Sequence, residues 1–313
     1  MKKISLIIPC YNEAEALPAF YAELTRVTGE MQGYAFEFLF IDDGSKDTTL
    51  AYVKELAQTD ERVLYIALSR NFGKESAMYA GFCNATGDYT AIMDADMQDP
   101  PALLPEMVKI LEEGEYDSVA TYRKTRKGEP KTRSFFARGF YKLMNRISDV
   151  EMMDGARDFR LMKREMVNAI VAMSECNRFS KGIFSWVGFK TFWLPYENVE
   201  RVAGKSKWSF WKLLKYSFEG IFNFSDTPLK FASWTGFFFM FVAFVMTLVV
   251  FIRALVFGDA VAGWPSLVCI ILFVGGVQLF CLGVIGQYIS KIYKETKRRP
   301  QYIVAQTNKT EIK

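Results

Sequence analysis

Two long apolar runs near the C-terminus constrain this chain more than any other feature. Residues 231–252 run for 22 positions and residues 264–289 for 26 without a charged side chain. At about 1.5 Å of rise per helical residue, each exceeds the roughly 30 Å hydrocarbon thickness of a bilayer. A single run of this kind fits a buried core helix. Two in tandem, joined by a short connection that holds Arg253 and Asp259, point instead to a transmembrane hairpin. The segment beyond them carries Lys291, Lys294, Lys297, Arg298 and Arg299, which the positive-inside rule assigns to the cytoplasm. Two crossings return a chain to the side it left, so everything before residue 225 is expected in the cytoplasm too. Gly275, Gly276, Gly283 and Gly286 in the second run would allow close helix packing or oligomerisation.

Ahead of the hairpin the sequence reads as a soluble α/β domain. The mean hydropathy of +0.05 is high for a soluble chain and low for one lying wholly in a membrane, so two parts are expected. Lys and Arg number 39 against 35 Asp and Glu, a balance of +4 that is too mild to argue for nucleic acid. There is no histidine, which excludes Ser-His and Cys-His nucleophiles, His-ligated metals and an imidazole base. Cys10, Cys83, Cys176, Cys269 and Cys281 are scattered without a CxxC spacing and are expected as reduced thiols. The first apolar run, residues 4–9, is too short for a signal peptide.

Strand-like runs at 4–9, 36–41, 63–68 and 89–93 alternate with helical patterns at 13–28, 48–56 and 74–85. That alternation predicts a mostly parallel sheet with helices on both faces. The polar clusters PCYNE, DDGS, SRNFGKES and DADMQD follow successive strands, and ligands in such sheets bind beyond the carboxyl ends of the strands. Two further stretches read as basic amphipathic helices that either lie in the headgroup plane or pack on the domain. In 135–147, Phe136, Phe140, Leu143, Met144 and Ile147 share one face while Arg138, Lys142 and Arg146 take another. In 209–222, Phe210, Leu214, Phe218 and Ile221 oppose Lys212, Lys215 and Glu219. The second leads into the first apolar run, which favours the interfacial reading there.

Asp94 and Asp96 flank Ala95 at a predicted strand end, where alternate residues of extended chain point the same way. Hard carboxylate oxygens suit Mg2+ or Mn2+, ions that commonly share their coordination with substrate phosphates. In order along the chain, PCYNE at 9–13, DDGS at 42–45 and DADMQD at 94–99 resemble the family 2 nucleotide-sugar glycosyltransferases of the GT-A fold. SRNFGKESA at 69–77, DFRLM at 158–162, KGIFSWVGF at 181–189 and ERVAGKSKW at 200–208 narrow the resemblance to bacterial polyprenyl-phosphate glycosyltransferases. The nearest group is the bactoprenol glucosyltransferases, and dolichyl-phosphate mannose synthase is more distant.

The resemblance implies a role for each matching residue. Pro9, Tyr11 and Glu13 would line the nucleoside pocket, Asp42 would read the base with Asp43 beside it, and Lys74 would contact phosphate. Asp94 would face the ribose or the metal, while Asp96 and Gln98 would hold a Mg2+ or Mn2+ that bridges the diphosphate. Arg201, Ser206 and Lys207 would belong to a loop that closes over the diphosphate and meets the lipid phosphate, with Arg123 as a further phosphate contact. An Arg fork, a Lys point charge and Gly204 for close backbone approach suit that task. Asp158 matches an aspartate often assigned as catalytic base. A phosphate monoester is already largely ionised at neutral pH, so Asp158 acts either as a base or as a positioning and charge-stabilising group. GKES at 73–76 lacks the upstream glycine of a Walker motif.

The expected organisation is a cytoplasmic GT-A domain over 1–208, a juxtamembrane helix over 209–225 and two transmembrane helices within 229–290. A short outer loop would fall at about 254–263, and 291–313 would form a basic cytoplasmic tail. The resemblance implies a multi-pass protein of the bacterial inner membrane with both termini cytoplasmic, and a homo-oligomer, a tetramer among relatives. Its reaction would be inverting transfer of a hexose, from uridine diphosphate glucose, to undecaprenyl phosphate. Uridine diphosphate N-acetylglucosamine, uridine diphosphate galactose or guanosine diphosphate mannose remain alternative donors. A processive polysaccharide synthase, disfavoured by only two apolar runs and no Q-x-x-R-W motif, and a non-enzymatic membrane scaffold are the rival readings.

Overall fold

The computed structural model describes residues 1–123, 153, 155–197, 225, 227–257 and 263–312. They fall into two compact units, one built from residues 1–220 and 299–313 and the other from 221–298. The amphipathic stretch 135–147 and nearly all of 209–225 lie outside the described residues.

The first unit is built on an eight-stranded sheet. Its elements run β1 (Lys2–Cys10), α1 (Leu17–Glu30), β2 (Tyr34–Asp42), α2 (Thr49–Thr59), β3 (Val63–Leu68), α3 (Lys74–Asn84), β4 (Tyr89–Ile92), a 3-10 turn at Pro101–Leu103, α4 (Leu104–Glu112), β5 (Ser118–Arg123), β6 (Ala156–Lys163), α5 (Arg164–Ala172), α6 (Ser180–Trp186) and β7 (Thr191–Tyr196), and close with β8 (Val304–Thr307). The strand order is β7-β5-β6-β4-β1-β2-β3-β8. β1 pairs parallel with both β2 and β4, and β2 with β3, while β6 runs antiparallel between β4 and β5. Ile4, Leu6, Ile7 and Ile8 are completely buried, because β1 has helices on both faces and its apolar residues do not need to alternate. The chain passes from β1 to β2 on one side and returns to β4 on the other. The crevice at that reversal lies beyond Cys10, Asp42 and Ile92.

A buried carboxylate pins the opposite end of the sheet. Glu37 on β2 accepts hydrogen bonds from Ser5 Oγ, from Thr86 N at 2.7 Å and from Thr86 Oγ1 at 2.8 Å, and Lys3 Nζ stands 2.6 Å away. Burial pushes this carboxyl up, but the Lys3, Ser5 and Thr86 bonds outweigh it and bring it down to about 2. The unfolded group titrates near 4.3. A depressed native pKa means the stabilisation is complete above the unfolded value and is lost as pH falls from about 5 towards 2. Glu37→Ala should cost about 2–4 kcal/mol at neutral pH. In denaturant titrations of the detergent-solubilised protein, the gap from wild type should shrink below pH 4.

β8 was not visible in the sequence, where 291–313 reads only as a basic tail. It pairs antiparallel with β3, and Ser69 N donates to Ile303 O at 2.8 Å. Asn308 Oδ1 accepts from Tyr65 N at 2.8 Å, and its Nδ2 donates to Val63 O at 3.1 Å. The edge of β3 is thereby closed by a segment from beyond both apolar runs.

The second unit is a pair of helices, α7 (Thr227–Phe257, 31 residues) and α8 (Trp264–Thr296, 33 residues). Both are long and apolar enough to cross a membrane. They meet through Phe239 and Phe273, ring centroids 5.1 Å apart, and the Tyr288 hydroxyl of α8 donates to Ser225 O, ahead of α7, at 2.9 Å. A Cβ built on Gly275, Gly276, Gly283 or Gly286 would meet nothing within 4 Å. Phe231 and Phe280, ring centroids 6.5 Å apart, and Cys281 Sγ, 3.4 Å from Ala232 O, also join the two helices.

Candidate active site

Three loops at the carboxyl ends of the parallel strands are tied into one frame. After β1, Asn12 takes a left-handed φ of 52°. Its amide donates to Ser45 Oγ at 3.0 Å, and its side-chain oxygen accepts from Lys46 N at 2.8 Å. Glu13 N donates to Thr49 Oγ1 at 2.9 Å. Tyr11 and Glu13 are thus half-buried on a loop locked to the one after β2, and Pro9 is half-buried near the end of β1. Gly44 has φ +67°, and a Cβ there would lie 2.5 Å from the Arg70 carbonyl carbon. Only glycine allows the DDGS loop to press this closely on the loop after β3.

Asp42 and Asp43 are both 3% exposed. Asp42 accepts from Ser45 N at 3.3 Å, and burial pushes its carboxyl up. Asp43 accepts from Phe72 N at 2.7 Å and Gly73 N at 2.9 Å, and burial raises it to about 6 despite those bonds. In this geometry Asp43 sets the position of Gly73, the residue ahead of α3.

The first residue of α3 is the hub of the site. Lys74 Nζ lies 2.7 Å from Asp94 Oδ1 and 2.5 Å from Asp158 Oδ2. It joins the loop after β4 to the antiparallel strand β6. Burial opposes the Lys74 charge, but Asp158 and Asp94 more than restore it and its pKa is raised. Asp158 shows the converse: burial pushes it up, and Lys74 and then Lys181 hold it well below the ordinary carboxylate range. An aspartate so held is ionised and accepts protons poorly.

The DADMQD segment is not the extended pair that its spacing predicts. β4 ends at Ile92, and the segment turns, with Met97 at φ 61° and Asp96 Oδ1 accepting from Gln98 N at 3.0 Å. Asp94 and Asp96 are presented by a turn and not by a pleat. Behind them, fully buried Asp99 takes Arg157 Nε at 2.9 Å and the Tyr196 hydroxyl at 3.0 Å. Tyr196 also donates to Gln98 O at 3.2 Å and accepts from Arg123 Nε at 3.4 Å. Arg123 is therefore braced by β7 next to the carboxylate loop. Its NH2 is buried and has no hydrogen-bond partner among the described residues.

Residues 5–171 match the family described as glycosyl transferase family 2. The chain belongs to that family. Relatives extend the similarity over the whole length. A putative glycosyltransferase of Bacillus subtilis, CsbB, is 44% identical over 97% of this chain and 92% of its own. A prophage bactoprenol glucosyl transferase homolog of Escherichia coli is 42% identical over 98% of this chain and 100% of its own. The mannosyl-3-phosphoglycerate synthase of Rubrobacter xylanophilus shares the fold, with a TM-score of 0.50 at 16% identity over 70% of this chain and 72% of that one. The protein is a glycosyltransferase with a GT-A catalytic domain followed by two apolar helices.

In this glycosyltransferase the structure brings Lys74, Asp94 and Asp158 into direct contact and places Gln98 and Arg123 on one bracing network. Arg201, Ser206 and Lys207 lie outside the described residues. Glu75, Arg157, Lys181 and Tyr196 escaped the sequence reading. Arg157 and Glu75 adjoin residues that were singled out, and Lys181 opens a quoted motif, so proximity was the one signal available. Cys10 and Cys281 are free thiols.

Proposed function

We propose that this glycosyltransferase moves one hexose, with uridine diphosphate glucose as donor, to undecaprenyl phosphate at the cytoplasmic face of the membrane. The observation that carries this reading is the Lys74 bridge between Asp94 and Asp158. It gathers a carboxylate suited to the donor diphosphate and a second, ionised carboxylate on one cation. Full-length similarity to a protein named for bactoprenol glucosyl transfer supports the acceptor. Two apolar helices support catalysis beside a bilayer.

The acceptor's phosphate oxygen attacks the anomeric carbon, that carbon's bond to the diphosphate oxygen breaks, and the electron pair leaves on the nucleoside diphosphate. A single in-line displacement inverts the anomeric centre to give a β-linked lipid monophosphate sugar. Asp158 stays ionised and stabilises positive charge that develops at the sugar ring. Lys74 is placed to pass from its carboxylates to donor phosphate oxygens as the donor enters. Arg123, together with Arg201, Ser206 and Lys207, offsets the repulsion between two phosphorylated substrates.

A divalent cation fits the donor set. Asp94 and Asp96 offer hard oxygen ligands on one turn, Gln98 adds an amide oxygen, and Asp94 already attracts a cation in the form of Lys74 Nζ. An ion held there would complete its coordination with substrate phosphate oxygens. Mg2+ or Mn2+, when bound, would neutralise the leaving diphosphate.

β8 supports the membrane arrangement, because residues before α7 and after α8 belong to one sheet. Two crossings with both flanks on the side of the basic tail agree with that shared sheet. The test is purified protein with undecaprenyl phosphate and each of uridine diphosphate glucose, galactose and N-acetylglucosamine and guanosine diphosphate mannose, read by mass spectrometry of the lipid. A single added hexose from the glucose donor is expected. Polymer, or no lipid-linked sugar from any donor, would overturn the proposal.

A further inference from the structure

The functional reading uses Lys74 but leaves Glu75 beside it, and the motif KGIFSWVGF at 181–189, without a task. In the structure they are joined. Glu75, in the first turn of α3, accepts from Ser180 N at 3.0 Å and from Ser180 Oγ. Ser180 is the first residue of α6 and is 2% exposed. The next residue, Lys181, donates through Nζ to Ala156 O at 2.9 Å, two positions before Asp158 on β6. Lys181 is second only to Lys74 in holding Asp158 ionised. Glu75 follows Lys74 in the chain. Lys74 and Lys181, which act on Asp158 ahead of Arg157, therefore come from elements that the Glu75 carboxyl joins.

We propose that Glu75 is a positioning residue of the transfer reaction, fixing the start of α6 through Ser180 so that Lys181 stands beside Asp158. The inference rests on the reading that Asp158 serves the reacting sugar. The hydrogen bonds of the Glu75 carboxylate go to Ser180, and it acts through that residue. The groups that face it are Ser180, Asp158 from β6 and Arg178 from the segment before α6. Arg178 is itself buried against the Tyr79 ring, with its guanidinium carbon 4.3 Å from the centroid. Burial pushes the Glu75 carboxyl up to about 7 against the Ser180 bonds. Glutamine therefore mimics a form populated at neutral pH and keeps an oxygen for Ser180 to bond.

The test uses the full-length protein in detergent or nanodiscs. Glu75→Ala and Ser180→Ala should each lower kcat about 10- to 100-fold, the scale of a small misplacement of catalytic groups, with donor KM within about twofold of wild type. Lys181→Ala should match them, and Glu75→Ala combined with Lys181→Ala should lose little more, since both act through one contact. Glu75→Gln should return kcat to within about threefold of wild type. Amide exchange in 180–186 should quicken in Glu75→Ala and Ser180→Ala while the sheet stays protected. That readout does not depend on activity, so it judges the clamp even if the donor or acceptor assignment fails. Wild-type kcat in Ser180→Ala, multiplying losses in the double variant, or unchanged exchange in 180–186 would each overturn the proposal.

Discussion

Replacing Asp96 by alanine is expected to lower kcat/KM for the donor by about three orders of magnitude, roughly 4 kcal/mol of transition-state stabilisation. It should also abolish the response to added Mn2+ or Mg2+. Asp96 lies in a turn beyond β4, half-buried, and Asp99 behind it carries the packing through Arg157 and Tyr196. The variant should therefore fold with an unchanged thermal midpoint. Chelation of the wild type should reproduce the defect, and chelation of the variant should add nothing. Steady-state kinetics across a metal titration checks this. A variant that keeps wild-type rates and metal dependence would remove Asp96 from the donor site.

Asp158→Asn is the second large effect, with kcat expected to fall about 10^3-fold. Its pH dependence separates the two roles open to this residue. Burial raises Asp158, but Lys74 and Lys181 hold it well below the usual carboxylate range. It is already ionised across the assay range and contributes no rising limb there. The acceptor phosphate loses its second proton near pH 6. The rate should therefore rise through about pH 6 in wild type and should rise equally in Asp158→Asn, at lower amplitude. If the limb belongs to Asp158 acting as a base, the variant loses the limb along with the rate.

Much of this arrangement was legible before any coordinates. The apolar runs are local and long, and α7 and α8 contain them. The strand-and-helix alternation through residue 93 is local as well, and with it came the edge where the polar clusters gather. What escaped depends on pairing across long separations. Asp158 was matched by motif, but nothing nearby in sequence says that β6 runs antiparallel beside β4 and delivers it to Lys74, 84 residues earlier. The four residues of β8 carry no strand signature, and only the open edge of β3 makes them one. The turn at Asp94–Asp96 was mistaken for extended chain because a DxD spacing fits both. Glu75 and Ser180 were hidden for the same reason as Asp158: 105 residues separate them, and neither type announces a clamp.

The proposed transfer breaks the bond between sugar and diphosphate and places the sugar on a lipid phosphate. Incubation of the purified protein with undecaprenyl phosphate and a uridine diphosphate hexose, followed by analysis of both products, tests it most directly. The expected pair is a lipid with one phosphorus and one added hexose, and uridine diphosphate in equal amount. A lipid diphosphate sugar with uridine monophosphate, or uridine diphosphate formed without any lipid-linked sugar, would contradict it.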